Sequence, residues 1–588
     1  MQPPPWKRIR LRRVAVVLAA VLALTIGTVG ALTGSSAQAD STTTAAATTA
    51  ATASATAPAI DCSAVAALDL SGISGAPTQI ASATVLAAGG NTLGNWAACE
   101  VKGLIAPQLQ FDLRLPMTTW QGSYLQVGCG GNCGVVSSGS APAATGCVPL
   151  TDGAFAVASD NQGHYGTSMS SGLFGTDPTL KADFGYKSEH QLAVVAKDII
   201  KRFYGTSATG AYYDGCSQGG HEALTEAQRY PTDFNGIVAG APANNWTAHT
   251  FQHAWNAQAV FSGTAGTATL TTADLTPLHN AVLKGCGESG DGINEDPLSC
   301  TWDPGSIACA SGQTSTSDDF CLTAAQVTTV RKLYSGPVDK AGKLLYPGWQ
   351  LRGNELNWAG VIVPTTATGS TANQTNVNER VRYLLYPEAH PELSWKDVEF
   401  TDAAYRKLMK LNEGTMDATD PDLSAFKAAG GKLIIWQGLA DPNISSVAGM
   451  AYYKAVEKTM GGESATKDFA RLFLLPGVAH CGGGQGPDSI DALTAVVDWV
   501  TADQAPDSLL SQKINSSGTV TGARPVYAFP YIAVDTTGGS ADDPASYTAR
   551  LSTAEKNLKV DYLGSFRSGY ETVSSWVDGR WVTRPGKS

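Results

Sequence analysis

The stretch that decides the fold is Tyr212-Tyr213-Asp214-Gly215-Cys216-Ser217-Gln218-Gly219-Gly220. It predicts a short β-strand, a tight turn and then a helix over His221–Arg229. Ser217 lies between Gly215 and Gly219, the pattern in which a nucleophilic serine is exposed on a strand-to-helix elbow. Glycines leave room for such a strained turn. Because the chain has 63 glycines, the pattern can also arise by chance, and the rest of the sequence has to decide.

The composition indicates a large globular protein. The chain has 588 residues, of which 43% are hydrophobic, enough for two to four domains with a sizeable core. The formal net charge is −11, and no long basic run follows the N-terminus. These features argue against a nucleic-acid partner and against binding to an anionic membrane surface.

The N-terminus has the pattern of a secretory signal. A basic segment over 7–13 precedes an apolar run over 14–32, and Ala37-Gln38-Ala39 forms a small-x-small cleavage site. We therefore expect a signal peptide over residues 1–39 and a secreted, extracellular protein. The alternative is a permanent membrane anchor, since the run is nearly long enough to span a bilayer. Residues 40–58 are rich in Ala, Thr and Ser and are expected to form a flexible linker.

Strand-like and helix-like segments alternate on both sides of the elbow. This rhythm predicts an α/β fold with a doubly wound, mostly parallel sheet. It stops between residues 244 and 428, which we expect to form a large inserted lid domain between catalytic-domain segments 59–243 and 429–535. Residues 536–588 form a C-terminal extension without an assigned role. The predicted strands are Leu109–Leu115, Tyr124–Val127, Ala154–Ala158, Gly236–Gly240, Lys432–Gln437 and Leu472–Leu475, and the predicted helices beside them are His190–Tyr204 and Ser489–Trp499.

A catalytic triad requires a base and an acid in addition to Ser217. In α/β-hydrolases they follow the nucleophile in the order acid, then histidine, on loops after strands. Asp441 follows one predicted strand, and His480 follows the next. Of the eight histidines, only His480 lies in such a loop after both Ser217 and Asp441. The alternative interpretations are a helix N-cap for Asp441 and an ordinary loop histidine for His480.

The cysteines support this assignment. Cys216 immediately precedes Ser217, and Cys481 immediately follows His480. If Ser217 and His480 meet, the two sulfur atoms come close together, and an exported protein is expected to form a disulfide there. The chain has 11 cysteines, an odd number, so one thiol is expected to be left without a disulfide partner. The sequence has no Cys-x-x-Cys pair of the kind that would indicate a structural zinc.

Together these residues resemble the tannase and feruloyl esterase family. Gly-Cys-Ser-x-Gly-Gly at 215–220, Asp441 and His480-Cys481 match its CS-D-HC signature, and the resemblance extends over residues 60 to 532. It implies an α/β-hydrolase with a lid, acting as a serine carboxylesterase without a catalytic cofactor. The implied oxyanion hole is formed by the backbone N–H groups of Gln218 and Gly131. Further matching segments are Ala227–Ala243, Pro476–Gly484, Asp160-x-x-Gly163-His164 and Gly353-x-Glu355-x-x-Trp358.

The cysteine-rich loop of the lid departs from the family pattern. Family lids often carry a calcium loop, but the segment from Cys286 to Cys300 is short and lacks the early aspartates. Asp291 and the carbonyl of Ile293 remain as possible ligands of a structural calcium ion; the alternative is a disulfide-closed acidic turn without metal. The resemblance favours the pairs Cys62–Cys99, Cys286–Cys300 and Cys309–Cys321. Two of Cys129, Cys133 and Cys147 are expected to pair, and which two stays open.

The resemblance implies hydrolysis of hydroxycinnamate (feruloyl-type) esters from plant cell-wall material. The substrate would be a small aromatic ester or a feruloylated polysaccharide fragment. Gallate esters, as in a tannase, are the alternative within the class, and a small aromatic ester derived from a polyester comes third. An inactive glycan- or wall-binding protein on a hydrolase scaffold is the alternative from another class. Four tryptophans either stack an aromatic acid or form the lid's own core: Trp246, Trp255, Trp349 and Trp358.

Overall fold

The computed structural model describes residues 54–556, residue 558, and the backbone of 572–577 and 580–585; short gaps fall at 138–140, 168–171, 288–289, 317–318, 413, 537–539 and 541. The predicted signal peptide 1–39 and most of the linker 40–58 lie outside the described residues. Within the described part, no helix has both the length and the apolar character needed to cross a membrane.

A nine-stranded sheet forms the centre of the fold, in the order β1-β2-β3-β5-β4-β6-β7-β8-β9. Strands β4 to β9 pair in parallel, whereas β1, β2 and β3 add an antiparallel edge. The predicted mostly parallel sheet is therefore confirmed. Its strands are β1 Thr78–Leu86, β2 Ala98–Ile105, β3 Leu109–Pro116, β4 Ser123–Val127, β5 Phe155–Asp160, β6 Gly210–Cys216, β7 Gly236–Gly240, β8 Lys432–Gly438 and β9 Ala470–Leu475.

Helices cover both faces of this sheet. Helices α4, α5 and α12 pack on one face and α14 on the other, as expected for a doubly wound fold. The helices are α1 Cys62–Val65, α2 Val148–Thr151, α3 Pro178–Ala182, α4 Ser188–Tyr204, α5 Gln218–Arg229, α6 Trp246–Val260, α7 Leu275–Cys286, α8 Ala324–Ser335, α9 Ala372–Glu379, α10 Asp402–Leu411, α11 Ser424–Ala428, α12 Ser446–Met460, α13 Glu463–Lys467, α14 Ala492–Ala502 and α15 Thr553–Lys556.

The central strands are buried on both sides. Every residue of β7 is buried, and consecutive side chains enter opposite cores: Ile237 packs with α4 and α5, and Val238 packs with α14. A strand covered on both faces has no solvent side, so it appears in the sequence as a continuous apolar run. This is why these strands could be located from the sequence.

All three predicted helices are present with shifted boundaries: the one predicted over His190–Tyr204 begins at Ser188, and the one predicted to end at Trp499 ends at Ala502. The helix predicted over Ser489–Trp499 begins at Ala492, because Ser489–Ile490 form a short strand, β10, and the side chain of Asp491 caps the helix by accepting from the Thr494 N–H at 2.9 Å. The helix predicted to begin at His221 begins three residues earlier, at Gln218, directly after the elbow.

The segment between β7 and β8 is the insertion, residues 244–428. Its described residues form helices α6 to α11, several 3₁₀ turns and a π-helical turn over Arg380–Leu384, and none belongs to a strand. Trp246 and Trp358 are almost fully buried in its packing, so these two tryptophans form core rather than an open substrate platform. The domain boundaries stay a prediction.

After the sheet the chain forms smaller β-elements. Strands β10 Ser489–Ile490, β11 Ser508–Ile514 and β12 Val520–Tyr527 form one antiparallel sheet, β13 Tyr531–Asp535 pairs with β14 Tyr547–Leu551, and the backbones of β15 Thr572–Val577 and β16 Arg580–Pro585 pair with each other.

Candidate active site

Ser217 lies on a sharp turn between β6 and α5. Its φ is 66°, in the left-handed region that side chains other than glycine rarely adopt. The glycines around it are required by close backbone contacts. A Cβ on Gly215 would lie 2.6 Å from the carbonyl oxygen of Gly219, and a Cβ on Gly220 would overlap the carbonyl oxygen of Gly240. The turn therefore holds the serine in a strained conformation that the surrounding structure enforces.

The structure brings the three predicted triad residues together. The Oγ atom of Ser217 lies 2.8 Å from Nε2 of His480, and Nδ1 of His480 lies 2.7 Å from Oδ2 of Asp441. Asp441 is buried, and its Oδ1 accepts the N–H groups of Asn443 at 2.8 Å and Ile444 at 2.9 Å. An ionised carboxylate can only accept, so Nδ1 carries the proton and Nε2 is free to take one from the serine.

The loops that carry Asp441 and His480 meet because their strands, β8 and β9, are neighbours in the sheet. Gly438 ends β8 in direct contact with the histidine loop, where a Cβ would lie 2.6 Å from the carbonyl oxygen of Ala479. A disulfide between Cys216 and Cys481 joins the residue before the serine to the residue after the histidine. Adjacent strands, a glycine contact and a covalent bond together fix the separation of Ser217 and His480.

The predicted oxyanion residues lie on two elements next to Ser217. Gln218 is the first residue of α5, and the N–H groups of a first helical turn have no acceptor within their own helix. The loop that contains Gly131 is held against the same turn by a 2.7 Å hydrogen bond from the Gly219 N–H to the carbonyl of Cys129. Gln218 therefore follows the serine directly, and the loop of Gly131 contacts the same turn; that the two N–H groups stabilise an oxyanion stays a prediction.

Glu222 is hydrogen-bonded to the loop that contains Gly131. Its Oε2 accepts the N–H of Cys129 at 3.2 Å and the hydroxyl of Tyr213 at 2.7 Å. Burial raises the pKa of Glu222 to about 8 and that of Asp160 to about 7, and it also raises the pKa of Glu189. Burial therefore favours the neutral form of these carboxyl groups, which lowers the cost of placing several of them together in the core.

All the predicted disulfides are present in the structure: Cys62–Cys99, Cys216–Cys481, Cys286–Cys300 and Cys309–Cys321. The pairing left open is resolved as Cys129–Cys133, which closes the loop around Gly131. Cys147 is buried and is not part of a disulfide.

Two carboxylates of the acidic loop between Cys286 and Cys300 pair with an arginine, so the predicted calcium ligand Asp291 already has a cationic partner. Oδ2 of Asp291 lies 2.6 Å from Nη2 of Arg524, and Glu295 pairs with the same guanidinium. Oδ1 of Asp291 accepts the N–H of Ile293 at 3.1 Å. Calcium requires six or more oxygen ligands. Among the described residues of the loop, Asp291 and Glu295 already neutralise the buried Arg524, and Asp296 accepts the hydroxyl of Ser552.

Two kinds of functional residue escape prediction from sequence. Glu222 has the weak signal of a charged residue on an otherwise buried helix face, five positions after Ser217. His249 and His253 are spaced by one helical turn on α6, so they lie on one helix face, but nothing in the sequence shows that both contact the loop of Asp441.

Comparisons with known proteins agree with this geometry. The model of a family described as tannase and feruloyl esterase matches residues 91–550. The chain is 30% identical to the mono(2-hydroxyethyl) terephthalate hydrolase of Piscinibacter sakaiensis, over 76% of this chain and 84% of that protein. It is 33% identical to a probable feruloyl esterase B-1 of Aspergillus flavus, over 64% of this chain and 73% of that protein.

A solved structure is also similar. The crystal structure of feruloyl esterase B from Aspergillus oryzae matches with a TM-score of 0.70 and 27% sequence identity. The match covers 83% of this chain and all of that chain.

Proposed function

The chain belongs to the tannase and feruloyl esterase family and is a carboxylic ester hydrolase; from this premise we propose that it cleaves hydroxycinnamate (feruloyl-type) esters through a serine-bound acyl-enzyme. The observation that carries the mechanism is the continuous hydrogen-bonded chain from Ser217 through His480 to Asp441. A buried, hydrogen-bonded carboxylate at one end and a half-buried serine on a strained turn at the other are the parts that such a mechanism requires.

In the proposed reaction, Oγ of Ser217 attacks the ester carbonyl carbon while Nε2 of His480 takes the hydroxyl proton. Asp441 stabilises the imidazolium that forms. The N–H groups of Gln218 and Gly131 bind the oxyanion of the tetrahedral intermediate. When the intermediate collapses, His480 protonates the departing alcohol and the acyl group stays on Ser217. Water then attacks the acyl carbonyl carbon while His480 takes its proton, and His480 returns that proton to Oγ of Ser217 as the bond to the acyl group breaks and the acid is released.

The similar proteins support an aromatic acyl group. Several relatives are named as feruloyl esterases, and one is named as a terephthalate monoester hydrolase. In the acyl groups that these names describe, an aromatic ring is bonded to the carboxyl carbon or conjugated with it. Five disulfides in the described chain support secretion, because such bonds persist in oxidising compartments. A secreted enzyme of this kind would act on feruloylated wall polysaccharide or its fragments.

Kinetics on a panel of esters test the acyl preference. We expect methyl ferulate to have a higher kcat/KM than methyl caffeate, methyl gallate or mono(2-hydroxyethyl) terephthalate, measured by chromatography of the released acids. A preference for methyl gallate would favour the tannase alternative. If none of the four were hydrolysed, the proposed acyl preference would be contradicted, and the alternative of an inactive binding protein would gain support.

We further propose that the Arg524 guanidinium takes the place of a lid cation. It bridges Asp291 and Glu295 and is buried, so the acidic loop is neutralised by the chain itself. EDTA is therefore expected to change neither the esterase rate nor the midpoint of thermal unfolding. Arg524→Met should lower the free energy of unfolding by about 3 kcal/mol, because it leaves two carboxylates without their partner. A rate or midpoint that fell with EDTA and returned with calcium would contradict this replacement.

A further inference from the structure

The loop that carries Asp441 is held by side chains from the insertion. We call residues 439–445 the acid loop. Three of its backbone carbonyls accept hydrogen bonds from the insertion: Ala440 from Asn357 Nδ2 at 3.0 Å, Pro442 from Gln350 Nε2 at 3.2 Å, and Asn443 from both His249 Nε2 at 2.7 Å and His253 Nε2 at 3.1 Å. His249, His253 and Gln350 are buried, so solvent water does not compete for these contacts.

Two of these carbonyls belong to the peptide units that bind the carboxylate. The Pro442 carbonyl shares its peptide plane with the Asn443 N–H, and the Asn443 carbonyl shares its plane with the Ile444 N–H. Both N–H groups donate to Oδ1 of Asp441. Because a trans peptide is planar, with its C=O and N–H directed oppositely, fixing the oxygen also fixes the direction of the N–H. Hydrogen bonds to the carbonyl also polarise the peptide and strengthen its N–H as a donor.

The chemistry of the two histidines suits this role. A carbonyl can only accept, so each Nε2 carries a proton. Nη1 of Arg380 lies 3.3 Å from Nδ1 of His249, and a guanidinium can only donate, so this histidine is neutral. Burial lowers the pKa of both His249 and His253 well below its usual value. Both rings are therefore fixed as neutral donors in a single tautomer.

We propose that His249, His253 and Gln350 are positioning residues for Asp441, holding the two peptide planes that orient its carboxylate toward His480. The insertion is then part of the catalytic machinery through the acid loop. This inference rests on the proposed function, since it assigns a role to residues that act through the triad.

Substitutions that remove a hydrogen-bond donor to the acid loop, and one that restores it, test the proposal. His253→Leu removes the donor at nearly constant volume, whereas His253→Gln places an amide N–H near the position of Nε2. We expect His253→Leu to lower kcat on methyl ferulate about tenfold, and the double variant His253→Leu/Gln350→Met about 100-fold, because small misplacements of catalytic groups are costly. KM should change by less than about twofold, since only transition-state stabilisation is lost. His253→Gln should recover most of the lost kcat.

Thr250→Val is the control, because Thr250 is buried on the same helix between the two histidines and its hydroxyl contacts no hydrogen-bond partner among the described residues. It should keep the wild-type kcat. An unchanged kcat in His253→Leu, or a His253→Gln variant as slow as His253→Leu at the same melting temperature, would overturn the proposal. Ser217→Ala distinguishes failure of the proposed function from failure of the positioning role. If Ser217→Ala were as active as wild type, the proposed function itself would fail. If Ser217→Ala were inactive while His253→Leu kept full activity, only the positioning role would be rejected.

Discussion

Ser217→Ala is expected to lower kcat on methyl ferulate by about 10⁶-fold, the largest effect of any single substitution in this chain. The variant lacks the oxygen that attacks the ester carbonyl, and His480 loses the proton donor that lies 2.8 Å from its Nε2. Binding should persist, because the smaller side chain leaves the N–H groups predicted to bind the oxyanion in place. Ferulate release under single-turnover and steady-state conditions measures the loss.

Ser207→Ala is a matched control for this variant. Ser207 is an exposed serine just before β6, at the opposite end of the strand from the nucleophile. It should keep the wild-type rate. A Ser217→Ala protein that still released ferulate within about tenfold of the wild-type rate would exclude an acyl-enzyme on this residue, because the remaining groups supply only oxyanion stabilisation and binding.

The part of the fold nearest the site is the part that could be predicted from sequence. Strands β6 to β9 are buried on both faces, so they appear as apolar runs such as Gly236–Gly240, whose bounds agree with the structure. Helix beginnings were less predictable, because they depend on capping. The carboxylate of Asp491 caps α14, which begins at Ala492. This starting position also depends on the pairing of Ser489–Ile490 with β11.

Within the site, the predictable contacts are those with a local signature. Cys216 and Cys481 each adjoin a candidate catalytic residue, so their pairing followed from the triad. Arg524 and Asp291 are 233 positions apart, and no local pattern indicates that an arginine replaces a cation there. The same holds for the histidines that contact the acid loop. Such contacts depend on how the insertion packs on the sheet, which hydrophobic periodicity does not encode.

The disulfide Cys216–Cys481 holds two strained residues in place. Ser217, directly after Cys216, has a φ of 66°, and Cys481 itself has a φ of 59°. Residues other than glycine in this region of φ cost of order 1–3 kcal/mol each and persist only where the surroundings enforce them. The bond joins positions 265 apart in sequence, so it also closes a long loop of the unfolded chain. It therefore contributes both to stability and to the geometry of the nucleophile and base.

Replacing both cysteines by alanine is expected to lower the free energy of unfolding by about 4–5 kcal/mol, from the loop-closure entropy restored to the unfolded chain. Guanidinium denaturation followed by tryptophan fluorescence measures this change. Below the unfolding transition, kcat should fall by about 10- to 100-fold, because Ser217 and His480 lose their fixed separation. KM should change little, since substrate contacts are retained.

The pair Cys309 and Cys321 separates the two effects. It closes a loop of only 12 positions within the insertion, so its removal should cost about 3 kcal/mol or less and leave kcat unchanged. If the Cys216→Ala/Cys481→Ala protein were less stable but turned over ester at the wild-type rate, the disulfide would stabilise the fold without positioning the triad. A loss of kcat in the 216/481 variant alone means that rigidity between nucleophile and base is itself a catalytic requirement, because no atom that contacts the substrate has been removed.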